Sequence, residues 1–247
     1  MTVPREFMEK ACRLGVELDV GCGSGGFIEE LTRSCTSVYV IGVDNSLESL
    51  HDARRRFTRL LVDLVQADAS HLPLRGNSIG AISMSLLLHE VDSRLIRLVA
   101  SEASRTLKPS GLLLVVDRVL FKPSKPSEEV VLEAEEAYHK ALEYALNIRA
   151  WGLRKPIDYV RLFEDYGLAA QSLEVAYTSY TPPERFSRVY GSKTLSLASM
   201  IRDARVRSLI EELVKRVRSK GGVYGCGPGR VLVLLLVKRR GYDEGRA

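Results

Sequence analysis

An α/β fold, with a mostly parallel sheet covered by helices on both faces, is predicted by three features of this 247-residue sequence. Apolar, β-branched runs alternate with amphipathic stretches in five strand-helix units between residues 15 and 118, the pattern of right-handed crossover connections. The first run breaks into glycines and then becomes amphipathic, as a strand does when it turns directly into a helix. The composition, 45% hydrophobic and 27% charged, suits one sizeable α/β domain with an elaboration.

Residues 4–14 have room for a short helix, with Phe7, Met8 and Leu14 as its apolar contacts. Val16, Leu18 and Val20 form the first strand, which ends in Gly21-Cys22-Gly23-Ser24-Gly25-Gly26. Beyond it Phe27, Ile28 and Leu31 share one helical face, opposite Glu29, Glu30 and Arg33. Such a junction leaves backbone N–H groups at its mouth, so a ligand there would be held largely by main chain. Gly21, Gly23 and Gly26 also satisfy the dinucleotide pattern G-x-G-x-x-G, which is weak by itself. Asp19 argues against a pyrophosphate, which it would repel, and favours a ligand carrying an ammonium or sulfonium.

The second strand, residues 37–44, ends on Asp44. It stands about twenty residues beyond the turn, where a carboxylate meets a ribose and can accept from both hydroxyls. A cap for the helix starting near Ser46 would look the same, and the two roles are compatible. A helix over residues 50–60 carries Arg54-Arg55-Arg56 on a solvated face. The third strand, residues 61–68, runs into Gln66-Ala67-Asp68-Ala69, where Asp68 can accept from an adenine amino group while the next backbone N–H donates to the ring. The fourth strand, residues 79–86, enters Leu87-Leu88-His89-Glu90, and a helix over 95–107 leads through Lys108-Pro109-Ser110-Gly111 to a fifth strand over 112–117.

Asp19 to Gly25, read as Asp-x-Gly-x-Gly-x-Gly, resembles the first motif of the class I S-adenosylmethionine-dependent methyltransferases. The Asp68 segment resembles their adenine-binding motif, and Lys-Pro-x-Gly before an apolar strand is similar to another family signature. The serine, leucine and histidine pattern after the fourth strand looks like the small-molecule group that includes ubiquinone and menaquinone biosynthesis methyltransferases. Gly80 departs from the acidic residue common there, and nothing resembles the Asn-Pro-Pro-Tyr signature of enzymes that methylate nucleobase amino groups. The resemblance implies a Rossmann-like, doubly wound, seven-stranded sheet, mostly parallel, with an antiparallel last strand beside the sixth. It implies S-adenosyl-L-methionine as cofactor, bound by Asp19, Gly21, Cys22, Gly23, Asp44, Asn45, Asp68, Ala69 and Ser85. His89, following the fourth strand, is the candidate general base if the acceptor must lose a proton.

The rest of the chain is less family-like and is expected to enclose the acceptor. A helix over 128–150 has the stripe Val131, Ala134, Tyr138, Ala141 and Ala145. Tyr138, Tyr144 and Trp151 could line a pocket, although aromatics at helical spacing are more often core. A helix over 156–166 precedes a sixth strand over 171–180, and Thr181-Pro182-Pro183 breaks the pattern. A basic amphipathic helix over 200–220 is expected to end at Gly221-Gly222, a last strand to span 230–237, and the tail from 238 to fray. Residues 1–247 are thus expected to form a single methyltransferase domain, with a cofactor core at 15–118 and substrate-cap elements at 119–160 and 181–222. Glu90, Tyr138, Trp151 and Arg154 are the expected acceptor-pocket residues.

Composition narrows the function further. No apolar run is long enough for a membrane span and the first residues lack signal-peptide order, so a cytoplasmic location is expected. Cys12, Cys22, Cys35 and Cys226 show no metal-ligand spacing, and neither a metal site nor a disulfide is expected. The net charge of +5 permits an acidic partner without requiring one. The expected activity is methyl transfer to a small molecule by in-line displacement. Its competitors are an RNA or protein methyltransferase, a non-catalytic cofactor-binding partner subunit and a nicotinamide-dependent oxidoreductase. Oligomeric state is open.

Overall fold

A computed structural model of the chain describes residues 4–57 and 61–241. Helix α1 (Arg5–Leu14) stops at Gly15, whose φ of 74° favours glycine. Strand β1 (Val16–Val20) and helix α2 (Gly26–Ser34) follow, then β2 (Tyr39–Asp44) and α3 (Leu47–Arg56), with Ser46 accepting from the Ser49 N–H as its cap. Strand β3 (Val62–Gln66) passes to β4 (Ile79–Ser85) through a loop without a helix, so the expected alternation is broken once, and α4 (Ile96–Thr106) and β5 (Leu107–Arg118) follow. Beyond it lie α5 (Pro126–Leu146), α6 (Pro156–Glu164), β6 (Leu168–Tyr177), α7 (Pro183–Val189), α8 (Ser192–Met200), α9 (Ala204–Tyr224) and β7 (Arg230–Lys238).

The described strands form one sheet in the order β3-β2-β1-β4-β5-β7-β6. Strands β1 to β5 pair in parallel, and β7 lies antiparallel between β5 and β6. The strand order reverses beside β1 and β4, so the crevice for a ligand opens beyond their carboxyl ends. One face packs Leu18, Val20, Ile82 and Met84 with Val99 of α4 and Tyr159 of α6. The other packs Val40, Ala81 and Leu114 with Phe7, Phe27, Ile28 and Leu31. Helices α5, α7, α8 and α9 pack on one another.

Several boundaries differ from expectation. Helix α5 ends at Leu146, four residues early, because Asn147 takes a left-handed conformation with φ 56°. Its buried apolar positions are Val130, Ala137, Ala141 and Leu142, so the expected stripe is rotated. Strand β6 begins three residues earlier than expected and ends at Tyr177. Helix α9 runs through Gly221-Gly222, because a Cβ at Gly221 would collide with the Phe186 ring of α7. The Lys108-Pro109-Ser110-Gly111 turn lies inside β5, with Ser110 at φ 62° and a shift of register against β4. Gly80 is where it is because a side chain there would strike Leu14.

Lys238 does not fray: its ammonium donates to the carbonyls of Ser104 and Leu107 and to Asn77 Oδ1. Residues 58–60 of the expected third helix and 242–247 of the expected frayed tail lie outside the described residues. The sulfurs of Cys12 and Cys35 are bonded, with Cα atoms 5.7 Å apart, and so join α1 to the end of α2. Each cysteine alone carries no spacing signal, and the pairing arises from two helices packed side by side on the sheet.

Candidate functional site

The glycine turn is more self-contained than its sequence suggests. The N–H groups of Gly21 and Cys22 both donate to the Val43 carbonyl, at 2.7 and 3.0 Å. That of Gly23 donates to Asp44 Oδ2 at 2.8 Å. The turn is therefore locked to the end of β2, and the expectation of a ligand held largely by these main-chain donors does not hold for Gly21 to Gly23. Positive φ is still needed at Gly21 and Gly23, 72° and 51°. A Cβ at Gly21 would press on Leu87, whereas at Gly23 it would enter open space. Cys22 is buried against the turn, and burial raises its thiol far above the ordinary range.

Asp44 fills its expected place and joins two loops. Its Oδ2 accepts from Gly23 and its Oδ1 from the Ser46 N–H at 2.8 Å, while Ser46 itself caps α3. Asp68 Oδ1 accepts from the Ser70 N–H and hydroxyl at 2.8 and 2.6 Å. Asp44, Asn45, Asp68 and Ala69 line one cleft of about 390 Å³ with Gly21 and Leu87. Its far wall is Leu146, Asn147 and Ile148, the end of α5. Asp92 ties that wall down: it accepts from Arg94 Nη2 at 2.6 Å and from the Arg149 N–H at 3.2 Å, and Arg94 donates to the Asn147 carbonyl. Bonding to Arg94 holds the Asp92 carboxyl well below its usual range. Sequence reasoning gave neither residue a role, since the contact depends on where α5 stops.

Asp19 lies on β1 beneath the turn, 1% exposed, with Oδ1 accepting from Ser83 Oγ at 2.8 Å and Oδ2 without a partner. Burial pushes its carboxyl up to about 7. Ser85, expected at the cofactor, is half-buried at the tip of β4 and does not line the cleft, because the backbone leaves the strand there. The next residue, Leu86, has φ 54°, a conformation costly for a non-glycine side chain. Its N–H donates to the Val116 carbonyl at 2.7 Å, and the kink presents Leu87 to the cleft.

A second cavity of about 370 Å³ opens beside the first, lined by His89, Glu90, Tyr138 and residues of α7 and α8. Glu90 lines both. His89 is 3% exposed, with Nδ1 2.5 Å from Oδ1 of fully buried Asp117 at the end of β5. The Asp117 Oδ2 accepts from the His89 N–H at 3.2 Å. A carboxylate partner makes Nδ1 the protonated nitrogen and leaves Nε2 as acceptor. That nitrogen lies 3.8 Å from Glu90 Oε1 and 4.0 Å from Glu135 Oε2. Arg118 pairs with Glu135, Tyr138 donates to Glu90 Oε2 at 3.2 Å, and the Lys193 ammonium sits 4.5 Å from the Tyr138 ring centre. His139 completes the cluster; burial and the nearby His89 lower its imidazole to about 4.

Trp151 and Arg154 stand outside this cavity. Trp151 is half-buried and packs edge-on against Tyr159 at 4.7 Å, on the margin of the core between sheet and α6. Arg154 is exposed, 5.7 Å from the Trp151 ring centre. The chain turns away after α5, which carries both residues toward α6. Tyr144 is 51% exposed and lines neither cavity. A third space of about 240 Å³ shares Arg118, Glu135, Thr181 and Cys226 with the second cavity and extends it toward Phe121 and Leu153. Asp117 was missed because a polar residue closing an apolar strand reads as the strand's end, and only the β4–β5 pairing sets it beside His89.

Residues 18–115 match the model of a methyltransferase domain family. The chain is 32% identical over 151 residues to the uncharacterised methyltransferase YodH of Bacillus subtilis, covering 56% of this chain and 59% of that protein. It is 33% identical over 103 residues to the ubiquinone/menaquinone biosynthesis C-methyltransferase UbiE of Desulfotalea psychrophila, covering 42% and 41%. The chain thus spans less than two thirds of the length of these relatives. Among solved structures, the YcgJ protein of Bacillus subtilis superposes with a TM-score of 0.62 at 18% identity, over 96% of this chain and 100% of that one. Geranyl diphosphate C-methyltransferase of Streptomyces coelicolor A3(2), solved with S-adenosyl-L-homocysteine, gives 0.55 at 16% identity, over 95% and 74%. These likenesses show the Rossmann-like methyltransferase fold. Among the described residues, no helix is long and apolar enough to cross a membrane, and no cluster of histidine, cysteine and carboxylate side chains has metal-site geometry.

Proposed function

We propose that this protein, whose residues 18–115 match the model of a methyltransferase domain family, transfers the methyl group of S-adenosyl-L-methionine to a small-molecule acceptor. The observation that carries the reading is the pair of adjoining cavities that meet at Glu90, with the His89–Asp117 pair on the acceptor side. The first cavity fits the cofactor. Asp44 has lone pairs left for two ribose hydroxyls and Asp68 for an amino group, while Asp19, buried beneath the turn and not itself lining that cavity, has an unpartnered oxygen suited to an ammonium. Open space above Gly23 allows close approach to the main chain. An antiparallel β7 inserted between β5 and β6 also departs from the all-parallel dinucleotide fold, which sets the nicotinamide reading aside.

The bound cofactor supplies an electrophilic methyl group on sulfur, so the protein's work is alignment, exclusion of water and proton management. The tip of β4, kinked at Leu86, and the walls from α5, α7 and α8 hold the acceptor against the opening between the cavities. His89 Nε2 receives the acceptor's proton, and Asp117 keeps the imidazole in the required tautomer and stabilises the imidazolium. Glu90 and Tyr138 orient the acceptor from the opposite side. A cavity of about 370 Å³ suits a small acceptor better than a folded macromolecule. Incubation with methyl-labelled S-adenosylmethionine and a fractionated cell extract tests this: label is expected in the low-mass fraction. Transfer only to RNA or protein would overturn the small-molecule reading, and no transfer to any fraction would favour a cofactor-binding partner subunit.

A further inference from the structure

Glu17 is an anomaly in β1. It is fully buried, and its register neighbours Val40 and Ala81 belong to the apolar layer of Phe7, Ala11, Phe27 and Ile28. Asp19, the next residue on that face, is 1% exposed. Between the two carboxyls sits Ser83 on β4, its Oγ 2.5 Å from Glu17 Oε1 and 2.8 Å from Asp19 Oδ1. One hydroxyl has one proton and cannot donate to both. The second hydrogen bond therefore requires a proton carried by one of the carboxyls. With both ionised, a buried anion would face a hydroxyl lone pair in a low-dielectric layer.

The surroundings choose which carboxyl keeps it. The ionisable groups acting on this pair are Asp19 on Glu17, and Asp44 on Asp19, with the Cys22 thiol near all three. These neighbours bring negative charge alone, and neither carboxyl has an ion-pair partner among the described residues. Asp19 is nearer the carboxyl end of β1, under the turn, on the side of the cofactor cleft proposed above, and the inference rests on that reading. Glu17 lies one step deeper, where nothing relieves a charge. Burial raises both carboxyls, Glu17 well above its ordinary range and Asp19 to about 7.

We propose that Glu17 is held as the neutral acid and donates to Ser83, which donates to Asp19, so that the three side chains fix Asp19 with its second oxygen free for the cofactor's ammonium. Glu17 and Ser83 are positioning residues in this arrangement. The chain of donors gives Asp19 one orientation, and the proton on Glu17 removes a second negative charge that would otherwise make the buried pair untenable.

Infrared spectroscopy of the purified protein near neutral pH reads the proton directly. A carboxylic-acid carbonyl band is expected in the complex with S-adenosyl-L-homocysteine, where the ligand's ammonium keeps Asp19 ionised, and it should vanish there in Glu17→Gln. The amide keeps a donor toward Ser83, so Glu17→Gln should fold and bind S-adenosylmethionine within about twofold of the parent, whereas Ser83→Ala should weaken binding about tenfold, the equivalent of one hydrogen bond. Absence of the acid band from the parent complex, or a loss above about tenfold in Glu17→Gln, would overturn the proposal. If Glu17→Gln does not fold, the parent spectrum alone decides. No acceptor is used, so failure here is distinct from failure of the small-molecule reading.

Discussion

Replacing Asp44 with alanine separates its two jobs. In the free protein the carboxylate accepts from the Gly23 and Ser46 N–H groups, each at 2.8 Å. Both donors are only half-buried and can turn to water, so the fold should lose about 1 kcal/mol for each. The cofactor loses more, because two ribose hydroxyls forfeit an ionised acceptor. Bonds to a charged group contribute about 1.5–3 kcal/mol each, and rehydration of the freed hydroxyls reduces the pair to about 2–3 kcal/mol. Calorimetric titration should show S-adenosylmethionine bound about 30- to 150-fold more weakly. Ser46→Ala is the control: it removes the α3 cap, bonded to the Ser49 N–H at 3.2 Å, and should cost about 1 kcal/mol of stability with no change in affinity. A folded Asp44→Ala protein with parental affinity would remove this residue from the site.

Asp19 makes the free protein pH-sensitive. Its folded pKa, about 7, lies above its ordinary value of 3.8, so its contribution to stability is complete below pH 3.8 and is lost as pH rises through 7, by at most about 4 kcal/mol. Thermal melts should show the free protein weakening from about pH 4 to about pH 7 and level above that, with the slope flattened in Asp19→Asn, and affinity for S-adenosylmethionine should fall as pH drops below about 7; a parallel slope in Asp19→Asn would discard the assignment. Gly23→Val should lose cofactor binding beyond its stability cost of about 1–2 kcal/mol for positive φ, because its side chain enters the open space above the turn; normal binding by a folded variant would misplace the pocket. Trp151→Ala should destabilise the fold by about 2–3 kcal/mol, less than for a fully buried ring, and Tyr138→Phe should raise the acceptor KM with cofactor affinity intact. The reverse pattern would exchange their places.

The cleft beside the glycine turn was legible because its residues lie in short local patterns. A glycine turn after a strand, with an aspartate at the next strand's tip, needs no distant partner to be recognised, and Asp44, Asn45, Asp68 and Ala69 do line one cleft. The acceptor half depends on where long helices stop. Trp151 looked like a pocket residue because an aromatic just past a helix has no local mark of which way it points. Asn147 ends α5 early and sends Trp151 to the margin of the core. Helices α7 and α8 went unforeseen because Thr181-Pro182-Pro183 reads as a break, although a proline suits a helix's first turn, where its missing N–H is not needed. Asp117, Glu17 and Ser83 gain their roles only through strand pairing, β4 with β5 and β1 with β4. No periodicity in one segment can report such pairs.

The central claim is that two adjoining cavities place a methyl donor against an acceptor beside His89. A crystal structure with S-adenosyl-L-homocysteine tests it most directly. The expected result is adenine against Asp68 and Ala69, both ribose hydroxyls on Asp44, the ammonium at Asp19, and the sulfur facing the opening past Glu90 toward His89 Nε2. A ligand whose sulfur turns instead toward Asp92 and Leu146, or one bound away from the Gly21–Asp44 cleft, would contradict the account.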